Sequence, residues 1–561
     1  MKSTAGDGFH MVLAGADGRV LAHHSLVAND AFNYRVFADT TGERHPFDGP
    51  TVDPTPNVGG VTAPYPAFVA PNLVSVASLD HLNDPWLPAA ATVSTGNNVD
   101  AYTDVNAPDG FSAGDFRAST TAANAFDRTY DLAAAPLSST GQQMAAVTAL
   151  FYTNNWLHDF WYDNGFIEAT GNAQLDNYGR GGVDGDPLHA EAEDDALGTG
   201  LNNANMSTPG DGMSPRLQVY VWSGTQDVSI TYPGNTPAVG VAAFGPQTFD
   251  ASATATLTNP TNGCTAFAAP VTGMIAVVDR GTCTFKTKTL NAQNAGAIGV
   301  VLVNNNAATV PPALADDATI TTAITIGTLS VTQADGAVLK TAIANAPTTV
   351  VLHRAAGVEH DGDLDASVLA HEYGHYLHHR LSNCGAQLCS AMSEGWGDFD
   401  ALMFVLRAGD NLDGAFPLAI YSTVSFPNSA YFGIRRAPYS ADPAINGLSF
   451  RHMALGAALP TGQPFLTLGP NNEVHNAGEI WAETLWEAYI ALQKAGTSYT
   501  ATRTAMAKYV VGGLLMTPTD TTPTETRDAI LLAARAASAD DFSTIAHAFA
   551  RRGMGACAIS P

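Results

Sequence analysis

The sequence is short of positive charge, of long apolar runs and of cysteine, and each scarcity excludes something. Only 25 Lys and Arg stand against 52 Asp and Glu, a formal charge of −27. Neither nucleic acid nor an anionic membrane surface is therefore an expected partner. No stretch approaches the roughly 18 consecutive apolar residues that a membrane-spanning helix needs, so no membrane insertion is expected. Residues 1–8 lack the apolar centre of a signal peptide, which implies either a cytosolic protein or a true N-terminus upstream. The cysteines number five in 561 residues. None has C-x-x-C spacing, which argues against a structural zinc or thiol redox site. Locality instead pairs Cys264 with Cys283 and Cys384 with Cys389, leaves Cys557 free, and fits an oxidising compartment. By contrast 45% of the residues are hydrophobic, ample for large cores over about three or four domains.

Against that background one stretch carries chemistry. His371-Glu372-Tyr373-Gly374-His375 has the H-E-x-x-H pattern. Two histidines four apart share one helical face and can reach one metal ion, while Glu372 is placed to act as a base over the ion's open position. Asp361, Asp363 and Asp365 precede it, as suits a helix N-terminus where negative charge meets the positive end of the dipole. The extended pattern with Gly at 378 and His at 381 is excluded, since the chain has His378 and Leu381 there. The expected third ligand is Glu394, on a second helical pattern opening at Ser393. Asp398, one turn further on, is placed to bond the ring N–H of a ligating histidine. His378 and His379 read as polar residues near a helix end.

Elsewhere the chain is organised around this site. Residues 9–24 predict a hairpin turning through Ala16, Asp17 and Gly18. Residues 39–80, rich in Pro, Gly, Thr and Asp, predict a linker or wrapping segment with a domain boundary. A largely buried aromatic helix is expected over 142–166, where His158 and Asp159 read as core or polar-tip residues. Residues 226–354 differ from their flanks. Short apolar runs at 274–278 and 298–303 around a predicted helix at 285–297 indicate a small α/β domain inserted in a loop of the rest. His475 is expected just ahead of a helix beginning near 474–481, and Arg435 and Arg436 in a loop.

Taken together, 361–375, 393–399, 433–440 and 474–482 resemble the fungalysin family, zinc endopeptidases related to thermolysin. The likeness covers most of 80–220 and 355–557, and 240–350 resembles a protease-associated domain. The resemblance implies an α+β, two-lobed thermolysin-like catalytic unit, with a mixed N-terminal lobe, a helical C-terminal lobe and the small α/β domain inserted. The implied organisation is a propeptide tail (1–45), a linker (46–80), an N-terminal lobe (81–225), the insertion (226–354) and a C-terminal lobe (355–561). It implies one catalytic zinc on His371, His375 and Glu394, Glu372 as general base, Asp398 as orienter and His475 as oxyanion donor. Arg435 would hold a substrate carbonyl, Val368 and Ile434 would line the pocket after the scissile bond, and Asn203 with Ala204 would pair with substrate backbone as an edge strand. Calcium stays open as a second cation. Substrates would be proteins or peptides, the protein would be secreted as a zymogen, and a monomer is expected.

Two rivals remain. A zinc aminopeptidase shares this ligand spacing, although no G-x-M-E-N-like segment lies upstream to capture a free amine. A latent scaffold that binds through 226–354 would have no need of an intact base beside a full ligand set.

Overall fold

The computed structural model describes residues 9–13, 15, 20–25, 30–52, 54–198, 200–466, 468–496 and 498–560. Among these it is a mixed α+β structure of ten α-helices and several sheets. The helices are α1 (Thr140–Tyr162), α2 (Phe285–Asn294), α3 (Gln333–Asn345), α4 (Ala366–Leu381), α5 (Gln387–Val405), α6 (Ser429–Phe432), α7 (Val474–Ala495), α8 (Tyr499–Leu514), α9 (Pro523–Ala537) and α10 (Ala539–Arg551). The chain divides into two compact units, residues 1–223 with 359–561, and residues 224–358.

In the larger unit, helix ends follow their capping residues. Ser139 accepts from the Gln142 N–H at the start of α1, Asp365 from Val368 at α4, and Glu473 from Asn476 at α7, each satisfying a donor the helix leaves open. Most of α1 is buried, from Ala145 through Asp159. Its apolar and aromatic residues are spread round the helix, and even the polar Asn154, Asn155 and Asp159 are buried, which suits a core helix rather than a surface one. A four-stranded sheet runs in the order Val99–Thr103, Leu188–Ala192, Arg216–Val219, Ala204–Ser207, so Ala204–Ser207 is an edge strand.

A three-stranded sheet corrects the expected boundary. Phe32–Val36 is its middle strand, paired antiparallel with Asn72–Val76 and parallel with Ala125–Phe126. Tyr34 stacks on Phe126 at 5.6 Å between ring centroids and lies edge-on to Tyr152 of α1, also at 5.6 Å. Phe47, Val74 and Val76 join the same core as α1, α4, α5 and α7. The low periodicity of 39–80 thus reflects irregular chain laid over this core, and no domain boundary falls there. The strands Phe9–Leu13 and Val20–Ser25 pair antiparallel, while the expected turn at Ala16, Asp17 and Gly18 lies outside the described residues.

The smaller unit holds a seven-stranded mixed sheet. Ile275–Asp279, Gly299–Val303 and Gly327–Val331 lie parallel in it, and their continuous burial explains why they read as unbroken apolar runs. Cys264 and Cys283 form a disulfide here, Cys384 and Cys389 form another in the larger unit, and Cys557 is free and exposed.

Two local expectations need correction. α5 begins at Gln387, six residues before Ser393, so Cys389 lies within the helix. His378, expected at a polar helix end, is fully buried, because α4 packs against α5, whose Trp396 ring lies beside it.

Candidate metal centre

α4 presents His371, Glu372 and His375, and α5 crosses it with Ser393, Glu394 and Asp398. The crossing is close because glycine meets helix backbone at its centre. A Cβ on Gly374 would stand 2.7 Å from the Gly397 Cα, and one on Gly397 would stand 2.7 Å from the His371 Nδ1. On the other side of α5, a Cβ on Gly478 of α7 would stand 2.5 Å from the Glu394 Cβ. These small residues bring three helices to one point.

At that point one ligand atom each from His371, His375 and Glu394 lies within 4.8 Å of the others. The imidazole planes are nearly perpendicular, with centroids 4.8 Å apart. Each ring is held from behind. His371 Nδ1 is 2.8 Å from Asp398 Oδ1, and His375 Nδ1 is 2.8 Å from Ser393 Oγ. Both Nε2 atoms therefore face Glu394, at 3.5 and 3.8 Å. Asp398 is itself fixed, accepting from Arg435 Nε at 2.6 Å, from Arg435 Nη2 at 2.7 Å and from the Tyr439 hydroxyl.

Electrostatics follow from this packing. Burial pushes Asp398 and Glu394 up, but the Arg435 charge and the histidine contacts outweigh it and hold both carboxyls well below their usual range. Burial lowers His375 to about 3, keeping it neutral, and raises Glu372 to about 7. The buried Oε2 atoms of Glu394 and Glu372 lack hydrogen-bond partners among the described residues. Burial lowers His371 as well, but the carboxylates of Asp398 and Glu394 outweigh it and raise the ring to about 10, a charge that a cation in the same place would replace. Two imidazoles and a carboxylate with an unmatched oxygen make a donor set that fits a divalent ion with an open position.

A cavity of about 390 Å³ opens beside this set. Asn203, Ala204, Val368, Ile434, Arg435 and His475 line it, so the expected substrate-side residues share one cavity with His371 and Glu372. His475, in the first turn of α7, is about half exposed; its Nε2 is 3.4 Å from Glu394 Oε2 and its Nδ1 is 2.7 Å from Glu473. Arg435 differs from expectation in that two of its nitrogens are committed to Asp398 rather than turned wholly to the cavity.

Sequence reasoning missed a second support. Ser393 Oγ lies between His375 Nδ1 and His379 Nε2, the latter at 2.9 Å. The position directly before Glu394 was the available signal for Ser393, since it sits on the side of α5 facing α4. Glu473, which orients His475, was likewise readable as a helix cap but not as a partner of the site.

A family model described as Fungalysin metallopeptidase (M36) matches residues 70–558. The chain belongs to that family. Membership of a metallopeptidase family implies a bound metal. Extracellular metalloproteinase 2 of Trichophyton rubrum is 23% identical over 431 residues, covering 73% of this chain and 44% of that protein. Extracellular metalloproteinase 2 of Phaeosphaeria nodorum is 24% identical over 432 residues with the same coverage. The extracellular metalloproteinase mep of Aspergillus flavus is 23% identical over 431 residues, again 73% and 44%. The chain thus spans less than half the length of the curated relatives it matches. Among solved structures, a zinc aminopeptidase from Bacillus subtilis aligns at 19% identity over 25% of this chain and 34% of that one, with a TM-score of 0.19, too slight a likeness to bear on the fold. Among the described residues no helix is long and apolar enough to cross a membrane.

Proposed function

We propose that this protein is a secreted zinc endopeptidase. The observation that carries the reading is the convergence of His371, His375 and Glu394 within 4.8 Å beside the unpaired Glu372 carboxylate. Secretion is supported by the relatives' names, which describe extracellular metalloproteinases.

Zinc held by His371, His375 and Glu394 would supply a Lewis acid and lower the pKa of water in the open position. Glu372 takes the proton from the attacking water and delivers it to the leaving nitrogen. A group raised by burial toward neutrality suits both halves of that transfer. His475 Nε2, with Nδ1 tied to Glu473, donates to the carbonyl oxygen as negative charge develops on it. Asp398 keeps the His371 Nδ1 protonated and its Nε2 free to bind, and Arg435 with Tyr439 keeps Asp398 ionised and in place. Val368 and Ile434 form the apolar wall for the residue after the scissile bond, and the edge at Asn203 and Ala204 offers backbone groups to an extended substrate. On this reading the larger unit is a thermolysin-like pair of lobes, and residues 224–358 are a protease-associated domain that tunes access for large substrates.

The test uses an N-terminally acetylated, internally quenched peptide together with mass spectrometry of casein fragments and bound-metal analysis. Internal cleavage that a chelator removes and zinc restores is expected. Release of single residues from free N-termini alone, with no cut in the blocked peptide, would favour the aminopeptidase. The Glu372→Gln protein should retain zinc and lose hydrolysis, and full turnover by a zinc-loaded sample would sink the assigned mechanism.

A further inference from the structure

α4 does not end its histidines at the metal centre. His378, three residues after His375, is fully buried, and neither of its ring nitrogens has a hydrogen-bond partner among the described residues. Every tautomer of imidazole carries polar nitrogens, and leaving a buried one unpaired costs about 1–3 kcal/mol. The other histidines of this helix are satisfied, His371 by Asp398 and both His375 and His379 by Ser393. Trp396 and His379 flank His378 only as rings, with centroids 6.4 and 4.9 Å away. What lies within reach is sulfur. A ring nitrogen of His378 and the Sγ atoms of Cys384 and Cys389 all lie within 4.8 Å of one another. Cys389, in the first turn of α5, is fully buried, and Cys384, in the loop before it, is partly exposed.

We propose that His378, Cys384 and Cys389 form a second metal site, a one-imidazole, two-thiolate pocket for a thiophilic ion such as Zn²⁺ or Cu⁺. The site is open when the two cysteines are reduced and closed when they are joined as the disulfide. Borderline and soft ions prefer such donors, and with Zn²⁺ the two thiolates cancel the ion's charge, so it enters a buried place without leaving net charge there. In a tetrahedral zinc site the sulfurs stand about 3.8 Å apart, a separation compatible with the 5.6 Å between the Cα atoms of Cys384 and Cys389. The partly exposed Cys384 gives the entry path. Spacing along the chain hides this site, because its imidazole comes from the preceding helix rather than from a C-x-x-C pair.

The chemistry balances with a thiol or phosphine reductant. Two electrons from the reductant break the S–S bond and two protons complete the thiols; a dithiol reductant becomes a disulfide, and a phosphine becomes its oxide with oxygen from water. Metal binding then releases the two thiol protons. An ion here ties the end of α4 to the start of α5, the two helices that also carry His371, His375 and Glu394.

Cobalt(II) on the full chain tests the idea, because thiolate ligation gives a near-ultraviolet sulfur-to-cobalt charge-transfer band that a His371–His375–Glu394 site lacks. The phosphine-reduced protein should show the band and bind one more cobalt per chain than the oxidised protein. The band should persist when Cys264, Cys283 and Cys557 are changed to Ser, vanish in Cys384→Ser/Cys389→Ser, and need at least tenfold more cobalt in His378→Ala. If the serine background does not fold, alkylation mapping of the reduced wild type decides instead. Zn²⁺ should protect Cys384 and Cys389 from iodoacetamide, and His378→Ala should lose that protection. A folded, reduced protein with neither band nor protection overturns the proposal. So does a band that survives loss of both cysteines, or a chain that unfolds on reduction and is not restored by the metal.

Discussion

At the scale of single residues, the site separates groups that act on substrate from groups that act through another side chain, and kinetics can tell them apart. Both oxygens of Asp398 are taken up by His371, Arg435 and Tyr439, so Asp398→Asn should weaken metal affinity by about 10–100-fold while a metal-saturated sample recovers most of its turnover. Metal titration alongside steady-state kinetics checks this. His475 acts on charge that exists only during the reaction, so His475→Ala should lower kcat by about 100-fold with metal content and KM little changed. A variant with near wild-type kcat would remove His475 from the oxyanion role. The shared face of His371 and His375 was legible because i, i+4 spacing on a helix is itself geometry, whereas Glu394 comes to them from another helix. The Arg435–Asp398–Tyr439 cluster and the Ser393–His379 bridge were not, because they join residues whose proximity only packing creates.

At the scale of elements, what the sequence marks is helix faces, and what it leaves unmarked is how closely the helices approach. The start of α5 was misplaced by six residues for a related reason: its first turn carries no capping side chain at Ala386, the usual signal of a helix N-terminus. The strand Phe32–Val36 was hidden by its neighbours' composition, although its own alternation of buried Phe32, Tyr34 and Val36 with partly exposed Asn33 and Arg35 follows the two-residue period. The α4–α5 crossing yields a prediction. In Gly397→Ala the new methyl stands 2.7 Å from His371 Nδ1 and 2.8 Å from the His371 carbonyl oxygen, so the helices must separate or the ring must turn. Either response should cost about 1–3 kcal/mol and displace a metal ligand. Thermal melts and metal titration should both show the loss; an unchanged metal affinity would mean the crossing tolerates more than its contacts indicate.

For the whole molecule, the termini of the smaller unit bear on whether it can be excised. Gly224 and Val358 are in contact, since a Cβ on Gly224 would fall 1.9 Å from the Val358 carbonyl oxygen. Replacing residues 224–358 by a short flexible linker should therefore leave cleavage of small peptides intact while changing that of large proteins, because the candidate ligands and cavity residues all belong to the larger unit. Loss of both activities in a folded protein would place part of the unit in the site. A second whole-molecule property is the response to pH. Glu193, Asp361 and Asp363 are all buried in the larger unit, and each has one carboxylate oxygen without a hydrogen-bond partner among the described residues. The Glu193 N–H donates to Asp363 Oδ2 at 3.2 Å, the Asp363 N–H donates to Asp361 Oδ1 at 3.2 Å, and the Gln143 amide donates to Glu193 Oε2 at 2.6 Å. Burial first, and then mutual repulsion, raises Glu193 and Asp363 well above the ordinary carboxylate range. A raised folded pKa means that the folded state holds protons the unfolded chain has released. The stabilisation is complete below the ordinary carboxylate pKa and is lost as pH rises through the folded one. The share of folding stability that these carboxyls carry should therefore fall as pH climbs above the ordinary carboxylate pKa of about 4. Asp363→Asn, which keeps an oxygen for the Glu193 N–H but cannot ionise, should flatten the fall. Melts of metal-loaded wild type and variant should nearly coincide at the acidic end and diverge, with the variant higher, at the alkaline end. Parallel curves across that range would mean the three carboxyls find solvent or an ion that relieves their burial.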